Sequence, residues 1–179
     1  MTLFPATTLA APSRAYKIRA GRPPYAPSMA TGTLTDEQLR SLDAAEAVLN
    51  NSYNPYSHFA VGACLVTENG ELVSGTNVEN AAYGSTICAE RSALVRANAE
   101  GHRVFRGISI IGRGVHSERQ SEPQLTGPCG ACRQMLYEFA ELGGNDPWVV
   151  LSTPAREKVE ITSVRALLPY GFGPNNLKT

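Results

Sequence analysis

Three cysteines and one glutamate have the residue types and the spacing to do chemistry in this chain of 179 residues. Cys88 and Glu90 lie two positions apart, and after a roughly 40-residue interval Pro128 precedes Cys129 and Cys132. Residues three apart share one side of a helical turn, and helix N-termini stabilise thiolates, the form of cysteine that binds metal. Three thiolates leave the fourth vertex of a tetrahedral ion open, as in catalytic zinc sites, and sulfur donors favour zinc over magnesium or calcium.

Glu90 adds a proton carrier to this predicted metal site. A carboxylate two residues after a ligand is placed to hydrogen-bond a water at the open vertex. Cys-x-Glu combined with Pro-Cys-x-x-Cys is the three-cysteine form of the zinc nucleobase deaminase signature. The pattern therefore predicts hydrolytic deamination, with zinc bound by Cys88, Cys129 and Cys132 and with Glu90 as the general acid and base.

Two other interpretations of the cysteines compete with catalysis. A redox pair would follow an early strand of a βαβ unit, which is not where this Cys-x-x-Cys stands. A structural zinc site needs a fourth ligand, for which Cys64 is the candidate, and would make the chain a non-catalytic, zinc-stabilised binding module. Cys64 lies in an apolar run, however, and unpaired cysteines are usually small core residues.

Helices and strands that could position these residues alternate along the chain. A capping box at Thr35 predicts a helix that ends at Asn50 and Asn51, and Asn69-Gly70 predicts a hairpin. We expect further helices over 88–100 and 129–142, strands over 59–66, 72–78, 104–111, 148–151 and 159–161, and a polar loop over 112–127. This order predicts an α/β fold, a three-layer α/β/α sandwich around a mixed, roughly five-stranded sheet.

Residues 1–34 differ from the rest in composition. Four basic residues and no acidic ones lie before Asp36, so the remaining chain carries −4 and the whole is neutral, with 16 basic and 16 acidic residues. Five of the 12 prolines fall here, which predicts an extended or disordered basic tail before a catalytic domain over 35–179. We expect a cytoplasmic protein; an organellar targeting segment, or a start at Met29, is the alternative for the tail.

Charge and hydropathy exclude two classes of partner. A neutral chain without a basic, aromatic stripe is unsuited to gripping a nucleic acid polymer. No apolar run reaches the roughly 18 to 20 residues that a membrane span requires. We therefore expect a small-molecule substrate.

Beyond the zinc pattern, the chain resembles the small, homotetrameric cytidine deaminases over about residues 39–177. Five segments carry the resemblance: NPYSHFAVGA at 54–63, NVENAAY at 77–83, CAERSA at 88–93, PCGACRQ at 128–134 and LLPYGFGP at 167–174. Gly127 departs from the pattern, because the family often has a small hydroxyl residue there.

The resemblance implies roles for residues around the metal. Phe59 would stack on the pyrimidine, Ala89 would contact the base through its backbone, and Asn77 and Glu79 would hydrogen-bond the ribose. Arg91 would hydrogen-bond the cysteine sulfurs. Two aromatic residues would contribute to sites across subunit interfaces, Tyr83 and Phe172.

The resemblance also implies the reaction. It is the zinc-dependent hydrolysis of cytidine and deoxycytidine to uridine and deoxyuridine with release of ammonia, a step of pyrimidine salvage, in a homotetramer with one Zn²⁺ per subunit. A related deaminase of a cytosine nucleoside antibiotic such as blasticidin S is the alternative within the same chemistry. An acidic residue near the sugar suits an uncharged nucleoside and repels a 5′-phosphate.

Overall fold

Helices and strands alternate in the computed structural model, which describes residues 33–114 and 124–177. The helices are α1 Asp36–Ala47, α2 Ala89–Ala99, α3 Gly130–Gly143 and α4 Val164–Leu167. The strands are β1 Phe59–Thr67, β2 Leu72–Thr76, β3 Phe105–Gly114, β4 Trp148–Ser152 and β5 Val159–Ser163. Short 3₁₀ turns occur at Leu49–Asn51, Tyr83–Ser85 and Pro174–Asn176.

The five strands form one mixed sheet in the order β2-β1-β3-β4-β5. β3 and β4 are parallel, whereas the other neighbouring pairs are antiparallel. Gly70 closes the predicted hairpin between β1 and β2 with a φ of 84°, a conformation that glycine adopts without steric cost. The predicted sheet is confirmed.

Alternation along β1 separates two cores. Ala63 and Leu65 pack with residues of α2 and α3 on one face of the sheet. Cys64 packs with α1 on the other face, where the Ser41 hydroxyl donates to the Cys64 carbonyl at 3.0 Å. The α/β/α sandwich is therefore confirmed, and Cys64 is the fully buried core residue that its apolar surroundings predicted.

β3 is longer than the sequence pattern predicted. It pairs with β1 as far as Gly114, opposite Phe59, so the polar loop predicted over 112–127 was wrong at its start. Two glycines and an arginine hid the strand, because they interrupt the apolar run that ends at Ile111. Residues 115–123 lie outside the described part of the chain.

Two further boundaries also differ from the prediction. β2 ends at Thr76, and Val78 instead forms an isolated bridge with Ile87. The single-turn helix α4 was not predicted; its Ser163 N-cap accepts a hydrogen bond from the Ala166 N–H. The predicted tail lies outside the described residues up to residue 32, and Leu34 already packs against the α1 side of the core.

Within the described residues, every helix is too short or too polar to cross a membrane.

Close packing of α1 on β1 yields a stability prediction. A Cβ built on Gly62 would lie 2.0 Å from the Ala45 carbonyl oxygen, a backbone atom that cannot rotate away. We expect Gly62→Ala to lower the free energy of unfolding by about 1–3 kcal/mol, as overpacking does. Urea unfolding measures it, with Gly84→Ala as the control, because a Cβ there meets no described atom within 4 Å. Equal stability of the two variants would contradict this packing.

Candidate active site

Three cysteine sulfurs converge where two helices begin. Cys88 is the N-cap of α2, Cys129 is the N-cap of α3, and Cys132 lies in the first turn of α3. The three Sγ atoms lie within 4.8 Å of one another. The Sγ atoms of Cys88 and Cys129 are 3.8 Å apart, and those of Cys129 and Cys132 are 3.4 Å apart.

The sulfur spacing fits a single metal ion. Thiolates bound to zinc at about 2.3 Å in tetrahedral geometry lie roughly 3.8 Å apart. The first-turn N–H groups of both helices lack intrahelical acceptors and stabilise negative charge on the sulfurs. Among residues 33–114 and 124–177, these cysteines form the one cluster of three or more side chains able to hold a metal.

Hydrogen bonds among the thiols shift the pKa values of Cys88 and Cys132 in opposite directions. Those from Cys132 and Cys129, with help from Arg91, outweigh burial and lower the pKa of Cys88 from 9.0 to about 5. The contact with Cys88 and burial both raise the pKa of Cys132. The environment at the N-cap of α2 therefore favours the thiolate form of Cys88.

Glu90 is a buried carboxyl beside these sulfurs. It is 4% exposed, and burial raises the pKa of its carboxyl, as does the negative charge of Cys88; contact with the Cys132 thiol acts in the opposite direction. Ala89, fully buried, begins α2, and the first intrahelical bond runs from Ser92 N–H to Cys88 C=O at 3.0 Å. The N–H groups of both Ala89 and Glu90 therefore precede the helical hydrogen-bond ladder.

Arg91 brings a positive charge to the cysteines. Its Nη2 donates to the Thr86 carbonyl at 2.7 Å, and its Nε is buried with no hydrogen-bond partner among the described residues. Burial acts to lower the pKa of Arg91, but the Cys88 sulfur, followed by Cys132 and Cys129, raises it. The guanidinium therefore stays charged with a donor to spare.

Asn77 fixes the backbone of β1 beside the site. Its Oδ1 accepts hydrogen bonds from the Val61 N–H at 2.8 Å and the Ser52 hydroxyl at 2.5 Å. Its Nδ2 donates to the Phe59 carbonyl at 2.9 Å, which leaves one amide hydrogen for another acceptor. Phe59 itself is 37% exposed.

Glu79 orders the turn that precedes β1. Its carboxylate accepts hydrogen bonds from the N–H groups of Tyr56 at 2.9 Å and Ser57 at 3.1 Å. The Ser57 hydroxyl is the largest of the contacts that lower the pKa of this exposed carboxyl. Tyr56 also contacts Tyr83 edge to face, with ring centroids 5.9 Å apart, and Tyr83 is 75% exposed.

Two contacts join the cysteine cluster to this second group of residues. The bridge between Val78 and Ile87 sets the segment from Asn77 to Glu79 alongside the residue that precedes Cys88. Thr126, three residues before Cys129, lies over β3 beside the Phe59 ring, as described below.

Phe172 is held by α3 near the C-terminus. The Gln134 side chain donates to the Phe172 carbonyl at 2.7 Å. Cβ atoms built on Gly171 and Gly173 would each meet the Tyr137 ring at 2.9 Å, so both glycines press against that ring. The Phe172 side chain nevertheless remains 60% exposed.

The structure thus brings together most of the residues that the sequence singled out. Cys88, Cys129, Cys132, Glu90 and Arg91 form one cluster, and Phe59, Asn77 and Glu79 form the adjoining one. Tyr83 and Phe172 are exposed at the surface. Sequence reasoning missed the role of Asn77 as a backbone clamp, and it missed the glycines under Phe59, although glycine inside a strand often signals a close approach.

Comparison with known proteins agrees with this arrangement. Residues 35–142 match the family model described as the cytidine and deoxycytidylate deaminase zinc-binding region. That match covers more than half of the chain, and the chain belongs to this family of zinc-binding deaminases.

Relatives extend the similarity beyond the zinc region. The chain is 37% identical over 142 residues to a probable cytidine deaminase of Dictyostelium discoideum, covering 79% of this chain and 88% of the relative. The crystal structure of cytidine deaminase from Burkholderia pseudomallei has a TM-score of 0.64 at 41% identity, covering 78% of this chain and all of that chain. A blasticidin-S deaminase of Bacillus cereus is more distant, at 25% identity over 147 residues, 82% of this chain and 100% of the relative.

The positions of the four cysteines in the fold predict which of them are metal ligands. We expect Cys64→Ser to keep one zinc per chain, because Cys64 lies on the α1 side of the sheet, and Cys132→Ser to lose most of it. Metal content of purified protein by mass spectrometry is the measurement. Zinc lost from Cys64→Ser, with the fold intact by circular dichroism, would point to a closed four-cysteine site instead.

Proposed function

We propose that this protein catalyses the hydrolytic deamination of cytidine and deoxycytidine to uridine and deoxyuridine, releasing ammonia, with one Zn²⁺ held by Cys88, Cys129 and Cys132. The observation that carries the proposal is the convergence of three sulfurs and a buried carboxyl at two helix N-termini. Relatives named cytidine deaminases, which cover most of the chain, support the same reaction.

Glu90 performs the proton transfers of this reaction. When bound, zinc supplies Lewis-acid activation of the attacking water. Burial raises the pKa of the Glu90 carboxyl, which suits a group that must both accept a proton and return it. Glu90 takes a proton from the attacking water and delivers it to N3 of the pyrimidine, so that C4 becomes electrophilic and the water oxygen bonds to it. Glu90 then carries the remaining proton of that oxygen to the amino group, and the C4–N bond breaks to release ammonia and leave the C4 carbonyl.

Arg91 adjusts the charge of the metal site. Three thiolates and Zn²⁺ sum to −1, which opposes the activation of water. A guanidinium that donates to a ligand sulfur withdraws part of that charge, as outer hydrogen bonds to metal ligands do. The charged Arg91 beside Cys88, with its buried and unpartnered Nε, supports this role.

The adjoining cluster forms the nucleoside subsite. Phe59 stacks on the pyrimidine. Ala89 contacts the base through its backbone, because its N–H precedes the first hydrogen bond of α2. Asn77 offers its remaining amide hydrogen to the ribose, and Glu79 accepts from a ribose hydroxyl. The carboxylate of Glu79 is stabilised in its charged form, which favours an uncharged nucleoside over a nucleotide.

Assembly completes the proposed site. Two exposed aromatic residues are suited to burial against other subunits, because each is already held in place. The ring of Tyr83 contacts that of Tyr56, and the Phe172 carbonyl accepts a hydrogen bond from the Gln134 side chain. We place Tyr83 and Phe172 at the sites of neighbouring subunits in a homotetramer. The product nucleosides fit a cytoplasmic role in pyrimidine salvage.

An ultraviolet absorbance assay tests the reaction directly. We expect purified zinc-loaded protein to deaminate cytidine and deoxycytidine but not deoxycytidine monophosphate or blasticidin S. Glu90→Gln should lose about 10⁴-fold in kcat or more while keeping its zinc, because it removes the general acid and base. Activity within tenfold of wild type in this variant, or a preference for blasticidin S, would overturn the assignment.

Native mass spectrometry tests the assembly. We expect a species of four chains for the wild type and loss of activity in Phe172→Ala alone. Mixed tetramers of Phe172→Ala and Glu90→Gln subunits should regain part of the activity, because a Phe172→Ala subunit keeps its own Glu90 and receives Phe172 from its neighbour. A fully active monomer would contradict a role for Phe172 across subunits.

A further inference from the structure

Two glycines occupy the end of β3 on the face that carries Phe59. Gly114 is directly opposite Phe59, and Gly112 is opposite Val61, so both lie on the side of the sheet covered by α2 and α3. Positive φ angles among described glycines occur at Gly70, Gly101 and Gly144, not at these two. Any residue could therefore adopt their backbone conformation, and space rather than flexibility is what distinguishes glycine here.

The Phe59 ring fills the space that side chains at these positions would need. A Cβ on Gly114 would lie 3.0 Å from Cδ2 and 3.3 Å from Cε2 of that ring. A Cβ on Gly112 would lie 2.9 Å from Cε1 and 2.2 Å from the Thr126 hydroxyl oxygen. The ring thus spans both glycines and rests against the backbone of β3.

We propose that Gly112 and Gly114 are positioning residues for the deamination: they set how deeply the Phe59 ring sits on β3, and hence where a pyrimidine stacked on that ring meets the cysteine cluster. This inference rests on the proposed function, because it concerns the same nucleoside subsite. Neither glycine touches the substrate; each acts through the ring.

The ring, rather than the strand, yields to an added methyl group. The Phe59 backbone is fixed by the hydrogen bond from its N–H to Ser57 Oγ at 3.0 Å and by the Asn77 amide at 2.9 Å. β3 is itself paired with β1 along this stretch. Phe59 is 37% exposed, so its ring can tilt toward solvent about its own side-chain torsions.

Gly114 isolates the effect better than Gly112. Among described residues, a Cβ on Gly114 meets Phe59 alone within 4 Å. A Cβ on Gly112 also displaces Thr126, three residues before Cys129, and so could disturb the metal ligands. Gly114→Ala is therefore the test variant, and Gly112→Ala is the more severe member of the series.

Steady-state kinetics on the zinc-loaded enzyme provide the test. We expect Gly114→Ala to raise the KM for cytidine about fivefold with kcat within about twofold, part of the roughly 5- to 150-fold that base–aromatic stacking contributes. Zinc content and melting temperature should stay at wild-type values. Arg113→Ala is the matched control on the same strand, because that side chain binds Asn50 across the other face, and its KM should not change.

A double-variant cycle separates positioning from a general structural effect. In the Phe59→Ala background the ring is gone, so adding Gly114→Ala should leave KM unchanged. A full fivefold increase in that background, or a wild-type KM in Gly114→Ala itself, would overturn the inference while leaving the reaction standing. Gly114→Ala is less stable than the wild type only if its methyl group clashes with a neighbour. Wild-type stability in the Phe59→Ala, Gly114→Ala double variant then identifies the Phe59 ring as that neighbour, and a double variant that remains unstable refutes the inference. Wild-type protein without cytidine deaminase activity would instead refute the proposed function, and this inference with it.

Discussion

The fixed meeting of two helix N-termini is the constraint on which the rest of the site depends. Cys88 and Cys129 occupy N-cap positions, where Ser, Thr, Asp or Asn would usually cap the helix with a side-chain oxygen, and neither makes such a capping bond. The helix ends therefore keep free N–H groups that favour negative charge on sulfur. α2 reaches this point because its backbone packs directly on β2. A Cβ built on Gly75 of β2 would lie only 2.3 Å from the Ala93 nitrogen of α2.

The same constraint explains why a carboxyl and a guanidinium follow Cys88 directly. Once Cys88 caps α2, Glu90 and Arg91 fall in the first helical turn, close to the Cys88 sulfur, and the meeting with α3 brings the other two sulfurs to them. Burial raises the pKa of the Glu90 carboxyl, whereas the sulfurs raise the pKa of Arg91 and keep it charged. In the proposed reaction, one short motif thus supplies a metal ligand, a proton carrier and a compensating charge.

Whether a feature could be predicted from the sequence depends on how far apart in the chain the interacting residues lie. The capping box at Thr35, the hairpin glycine and the helices after Cys88 and Cys129 were predictable because each depends on neighbours within a few residues. The extension of β3 to Gly114 was not, since it depends on pairing with Phe59, 55 positions away in the chain. Cys64 could be assigned to the core by its apolar neighbours alone.

Asn77 shows the same limit at a single side chain. The family resemblance implied that Asn77 contacts a ribose, yet three of its side-chain hydrogen bonds go to Ser52, Phe59 and Val61 of its own chain. Those partners are 16 to 25 positions away, so no local pattern could have revealed them.

Glu79 connects the order of the turn before β1 with the proposed preference for an uncharged nucleoside. Its carboxylate accepts the N–H groups of Tyr56 and Ser57, in the turn that leads into Phe59, and these contacts keep the carboxyl charged. Protonating it, or replacing it by a neutral residue to admit a phosphate, would weaken the turn that presents the Phe59 ring. In the proposed function, the carboxylate that would repel a substrate phosphate is therefore the same group that holds the turn before Phe59.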